Sequence, residues 1–164
     1  MAALVKARTE KRAVRRAGDG GKRVEYLAFV LAGETYAVQI AHVAEILRPP
    51  PVTDVPRAPA NVLGVISVRG KLVTVLDLRK QLRLPAAAPD RKTRVLLADV
   101  GTGEQIGLLV DEVHQVWRLA ADEIEPSNVL GGEQPAHIAG IGRPAHAQGS
   151  ILILLDLRPI LESP

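Results

Sequence analysis

The chain contains no cysteine, which excludes disulfide frameworks, thiolate zinc sites and cysteine nucleophiles together. Aromatic residues are almost as scarce, with Tyr26, Phe29, Tyr36 and Trp117 forming the whole set. The core must therefore be aliphatic, and a nucleic-acid reader that stacks bases on aromatic platforms is not expected. No run of about 18 apolar residues is present, so no helical membrane span is expected. The opening residues lack the apolar segment and cleavage pattern of a secretory signal, and a cytoplasmic location is expected.

Net positive charge is also missing from most of the chain, despite a formal net charge of +3 over 164 residues. Residues 1–24 hold eight of the 21 Lys and Arg but only Glu10 and Asp19 of the 18 acidic residues. That tail carries +6 and the remainder −3. A charged stretch ending in Gly18-Asp19-Gly20-Gly21 is expected to stay disordered.

What the chain does have is concentrated in residues 62–82. Val65–Val68 and Leu72–Leu76 are aliphatic runs separated by Arg69-Gly70, the pattern of a tight hairpin in which Gly70 supplies positive φ. Asp77 suits the N-cap of a short helix carrying Leu78 and Leu82 on one stripe. Arg69 is the unusual residue, because two-residue turns favour Asn, Asp or Gly.

Earlier in the chain, Glu25–Leu31 and Thr35–Ile40 are expected strands around an Ala32-Gly33-Glu34 turn. Val43, Ile46 and Leu47 have helical spacing, predicting a short helix over 42–47 that stops before Pro49-Pro50-Pro51. Residues 49–61 contain five prolines and are expected to form a loop or edge. After the hairpin, residues 85–92 read as a connector, Thr93–Val100 and Gln105–Val110 as strands, and 111–117 as another helix-like segment.

At an offset of 70, Glu34–Leu47 lies over Glu104–Trp117, with apolar character matched at 36/106, 38/108, 40/110, 43/113, 46/116 and 47/117. Ile151–Arg158 repeats Leu72–Arg79 at an offset of 79, the extra residues falling in a Gly- and Pro-rich loop from Gly131 to Gly149. The chain is a twofold internal repeat, the first spanning about 25–84 and the second about 93–161. Two such repeats of short strands imply two small β-barrels or curled sheets side by side.

No constellation for catalysis emerges. His42, His114, His137 and His146 have no metal-ligand spacing, although His137 and His146 bracket one loop. Gly131-Gly132 and Gly140-Ile141-Gly142 lack the flanking residues of a phosphate loop. Asp77 and Asp156 occupy matching places after strands, where capping explains them. No nucleophile, base and orienter occur together, so a non-enzymatic protein without metal or cofactor is expected. Glu45 and Arg69, both polar in otherwise aliphatic surroundings, suggest a charge-assisted pair beside an apolar groove.

Residues 26–38 (Tyr-Leu-Ala-Phe-Val-Leu-Ala-Gly-Glu-Thr-Tyr-Ala-Val), 43–46, 64–79, 107–113 (Gly-Leu-Leu-Val-Asp-Glu-Val) and 153–157 resemble the CheW family of chemotaxis coupling proteins. The similarity runs over about residues 25–161. It implies a mainly β fold of two SH3-like five-stranded β-barrel lobes with short helices around an apolar interface. It also implies an adaptor joining the cytoplasmic tip of methyl-accepting chemoreceptors to the regulatory domain of a CheA-type histidine kinase. The implied receptor-facing groove takes in Val43, Glu45, Gly64 and Arg69, with Val113 and Val116 from the second lobe. Gly70 is its turn residue. The family's Asn-Leu-Arg-Gly hairpin is here Ser67-Val68-Arg69-Gly70. Alternatives are a scaffold for a non-flagellar chemosensory pathway and, from a different class, a nucleic-acid-binding double barrel acting through the basic tail.

Overall fold

The computed structural model describes residues 22–129 and 135–162. The tail up to residue 21 and the Gly131-Gly132 pair lie outside them. The fold is mainly β, with two sheets forming two SH3-like lobes. In chain order the strands are β1 Val24–Leu31, β2 Glu34–Gln39, β3 Val43–Leu47, β4 Val62–Val68, β5 Lys71–Asp77, β6 Arg94–Ala98, β7 Ile106–Val110, β8 Glu112–Leu119, β9 Ile124–Pro126, β10 Ile138–Gly142 and β11 Leu152–Leu155. Helix α1 (Leu78–Gln81) follows β5, and helix α2 (Leu157–Glu162) follows β11.

The repeats do not each build their own sheet. One sheet runs β8-β1-β2-β11-β10-β9 and the other β3-β6-β7-β5-β4. Each repeat therefore lends its first hairpin to the other repeat's lobe, an exchange that an internal offset in sequence does not reveal. The two parallel pairings that seal the exchange are equivalent. Val75 faces Gly107 across β5 and β7, and Leu154 faces Ala37 across β11 and β2. The small residue in each pair lets the neighbouring backbone approach. A Cβ at Gly107 would lie 2.9 Å from Val95 Cγ1.

Three apolar clusters follow from this layout. Ile66, Val73, Val75, Val95 and Leu97 fill the β3–β7 lobe, while Tyr26, Ala28, Ala37, Leu119, Leu152 and Leu154 fill the other. Between the lobes, Leu27, Phe29, Leu31 and Val38 of one sheet meet Leu76, Leu96, Leu108 and Val110 of the other, joined by Leu157 and Ile160 of α2. Strands β1 and β6 are thus buried on both faces, which explains their continuous rather than alternating apolar runs.

Two expected helices are strands. Residues 43–47 form β3 after a single 3₁₀ turn, Ile40–His42, and residues 112–119 form β8. Both strands carry a register shift at the same place in the repeat, between Val43 and Glu45 in β3 and between Val113 and Val116 in β8. The bulge in β8 sets two residues, His114 and Gln115, against Ala28 alone, so its apolar spacing imitates a helical turn. A second correction concerns the stretch 131–149, expected as loop, which contains β10. Proline-loop residue Thr53 bridges Val65, and in the second repeat β9 occupies the corresponding place on β10.

Candidate partner-binding site

The hairpin from β4 to β5 closes on Arg69-Gly70 with φ of 48° and 80°, the two positive values of a type I′ turn. Gly70 adopts this freely. Arg69 does so at a cost of about 1–3 kcal/mol, a strain that non-glycine residues retain only where the surroundings impose it. The turn aims the Arg69 side chain at β3. There Nη1 donates to Glu45 Oε1 at 3.0 Å and Nη2 donates to Oε2.

Glu45 is one-third exposed and Arg69 almost three-quarters exposed, so the bidentate pair sits at the surface. Hydrogen bonds from the Arg69 guanidinium hold the Glu45 carboxyl below the usual carboxylate range, and the same bonds push Arg69 upward. Arg69 also borders an open groove of about 660 Å³ that includes Leu72, Thr74 and Glu104. Leu72 is 77% exposed, a large apolar side chain presented to solvent beside two charges.

The remaining expected site residues occupy different environments. Gly64 is buried at a bulge of β4, where a Cβ would lie 2.3 Å from Thr53 O and 2.7 Å from Val52 Cγ1. It seats the proline loop, through paired Thr53–Val65 backbone bonds of 2.9 Å, instead of presenting a side chain. Val43 and Val113 are half-buried against the inter-lobe cluster. Val116 is 40% exposed on β8, in the other sheet. Glu45 and Arg69 are brought together, with Glu45 on a strand and not on the helical turn expected. Asp77 caps α1 by accepting from Arg79 N at 3.0 Å, and Asp156 accepts from Arg158 N at 3.0 Å.

Two polar clusters escaped sequence reasoning. Glu123 is buried and accepts from Ala120 N at 3.0 Å, Ala145 N at 2.7 Å and Arg23 Nη1 at 2.9 Å. The two backbone donors, ahead of Arg23, hold its carboxyl below the usual range. His146 stands against the Trp117 ring at a centroid distance of 5.6 Å, and burial lowers His137. Arg79 Nε donates to Asp111 Oδ1 at 3.0 Å and Nη2 to Oδ2. A signal for this last cluster was present, since the offset of 70 sets Asp111 over Ala41 and so marks a charged residue in only one repeat.

Among the described residues no group of three His, Asp or Glu could hold a metal ion, and no helix is long and apolar enough to cross a membrane. What the surface offers is a fixed charge pair and an exposed aliphatic side chain.

Comparison with known proteins gives one consistent result. The profile of the CheW-like domain matches residues 25–164. The chain is 34% identical over 146 residues to a chemotaxis protein CheW of Rhizobium meliloti, covering 88% of this chain and 90% of that protein. It is 31% identical over 141 residues to the chemotaxis protein CheW of Klebsiella aerogenes, covering 85% and 82%. The crystal structure of scaffolding protein TtCheW from Thermoanaerobacter tengcongensis superposes with a TM-score of 0.74 at 27% identity, covering 82% of this chain and 90% of that one. With that profile covering most of the chain, and with relatives more than 30% identical over most of their length, the chain belongs to the CheW-like domain family.

Proposed function

We propose that the protein is a non-enzymatic adaptor of a two-component chemosensory array. It joins the cytoplasmic tip of methyl-accepting chemoreceptors to the regulatory domain of a CheA-type histidine kinase. It acts in the cytoplasm and is recruited to membrane-associated receptor arrays. The observation that carries this reading is the Glu45–Arg69 pair, held at the surface by a turn whose backbone Arg69 would not choose.

A receptor helical hairpin with an apolar stripe is the class of partner that suits such a surface. Exposed aliphatic area would supply affinity, and the charge pair would set orientation. Coupling then requires no chemistry. The adaptor fixes geometry, and a conformational bias in the receptor reaches the kinase as a difference in contact free energy.

Titration of the full chain against the kinase regulatory domain and, separately, a receptor tip fragment tests the proposal. Saturable binding to both is expected. Arg69→Glu places two carboxylates together and should weaken receptor binding by about tenfold or more, the size of one lost anchor contact. Its thermal midpoint should stay within a few degrees of the unmodified protein's. Binding to neither partner would overturn the adaptor reading.

A further inference from the structure

The chain crosses between its sheets at equivalent points of the two repeats, and the two crossings are held differently. From β2 to β3 the crossing is the 3₁₀ turn Ile40–His42, fastened by Asp99 N donating to His42 O at 2.9 Å. From β7 to β8 it is Asp111 alone. Asp111 N donates to Val30 O at 3.0 Å, and Oδ2 accepts from Ala32 N at 2.9 Å. The Arg79 guanidinium grips both carboxylate oxygens and also donates through Nη1 to Pro85 O.

The Asp111 side chain, acting with Arg79, thus ties together the β1–β2 turn, the start of α1, the connector and the crossing. Its partner Arg79 is only 14% exposed, so solvent screens the pair less than an open surface pair. In the other repeat the corresponding residues are Arg158 and Ala41, both exposed. Alanine has no group to grip. The strands that follow differ in the same sense. β8 has eight residues, whereas β3 has five.

We infer that Arg79 and Asp111 are positioning residues that fix the β7–β8 crossing, leaving the β2–β3 crossing to take up displacement when a partner engages Glu45. β8 is then the stationary edge and β3 the yielding one. The role of Glu45 in this rests on the adaptor reading, but the difference between the crossings does not.

Hydrogen exchange of the full chain, without any partner, tests it. The hydrogen-bonded amides of residues 43–47 should exchange about tenfold faster than those of 112–116, reflecting a lower cost of local opening. Asp111→Asn should speed exchange at 112–114 and leave 43–47 unchanged. Ala41→Asp, which offers Arg158 the missing carboxylate, should slow exchange at 43–45 by about threefold, the size a partly exposed ion pair supports. Adding Arg158→Ala to Ala41→Asp should abolish that slowing, a coupling that general stabilisation would not show.

Equal exchange at the two strands in the unmodified chain would overturn the inference. So would slowing by Ala41→Asp that persists without Arg158. Failure to bind a receptor or kinase would leave these ratios as they are, so the two readings fail separately.

Discussion

The two lobes share a scaffold and differ at one tip. Bulges recur in β3 and β8, and the crowded glycines Gly64 and Gly140 lie against the backbone oxygens of Thr53 and Glu125. Asp77 and Asp156 cap the helices that follow β5 and β11. Where the first repeat closes β4 to β5 with Arg69-Gly70, the second joins β10 to β11 through residues 143–151. At the position of Glu45 stands Gln115, and the longer loop is fastened instead by Ala145 N donating to Glu123 and by His146 against Trp117. The duplicated parts are those that packing demands. The unduplicated tip presents a charge pair to solvent in one lobe and a buried carboxylate in the other, a contrast that the proposed adaptor role would explain.

The strongest way to break this comparison is to substitute the two glycines. Gly64→Ala and Gly140→Ala each drive a Cβ to within 2.4 Å of a backbone oxygen. Each should cost about 3 kcal/mol in denaturant unfolding, since backbone must move. A large loss at one position and none at the other would show that the scaffold is not shared.

A smaller effect is expected at Glu123. Glu123→Ala leaves two backbone donors without their acceptor and should cost about 1–3 kcal/mol. Its dependence on pH has a definite sign. The folded-state pKa lies below the ordinary value of 4.5, so the carboxylate's contribution is full above that value. It is lost as pH falls through the lowered folded value. The stability difference between the protein and Glu123→Gln should therefore shrink on acidification, as followed by thermal unfolding at a series of pH values. A difference that grows would contradict the assignment.

The smallest effect on stability and the sharpest on function belong to the Arg69 turn. Arg69→Gly relieves the positive φ while removing the guanidinium. Unfolding midpoints should hold or rise slightly while receptor binding weakens. A clear fall in stability would make the pair structural and erase the contrast between the lobes.

Much of this was legible in the residues. The central hairpin, the Asp77 cap and the repeat follow from local chemistry and spacing, and the Glu45–Arg69 pair from two polar residues out of place among aliphatics. The strand exchange was not legible, because an offset of 70 states which segments are alike and is silent on which of two like segments pairs with which. Strand β8 was hidden because its bulge supplies the i, i+3 spacing of a helix, and β10 because Gly140 and Gly142 look like loop residues. In the fold they are glycines against Glu125 O and Leu119. The Arg79–Asp111 pair joins residues 32 apart and depends on a crossing that only the folded topology creates.

The parallel pairing of β2 with β11 also orders events in time. As the chain emerges during synthesis, β1 and β2 form a hairpin whose outer neighbours, β8 and β11, do not yet exist. That hairpin must wait for most of the chain with both its edges open, exposed to any other strand that arrives first. Because its pairings are so distant along the chain, folding should be slow for the protein's size. A single repeat released alone would have no partner hairpin to receive, and two such pieces would complete one another only by meeting as a pair.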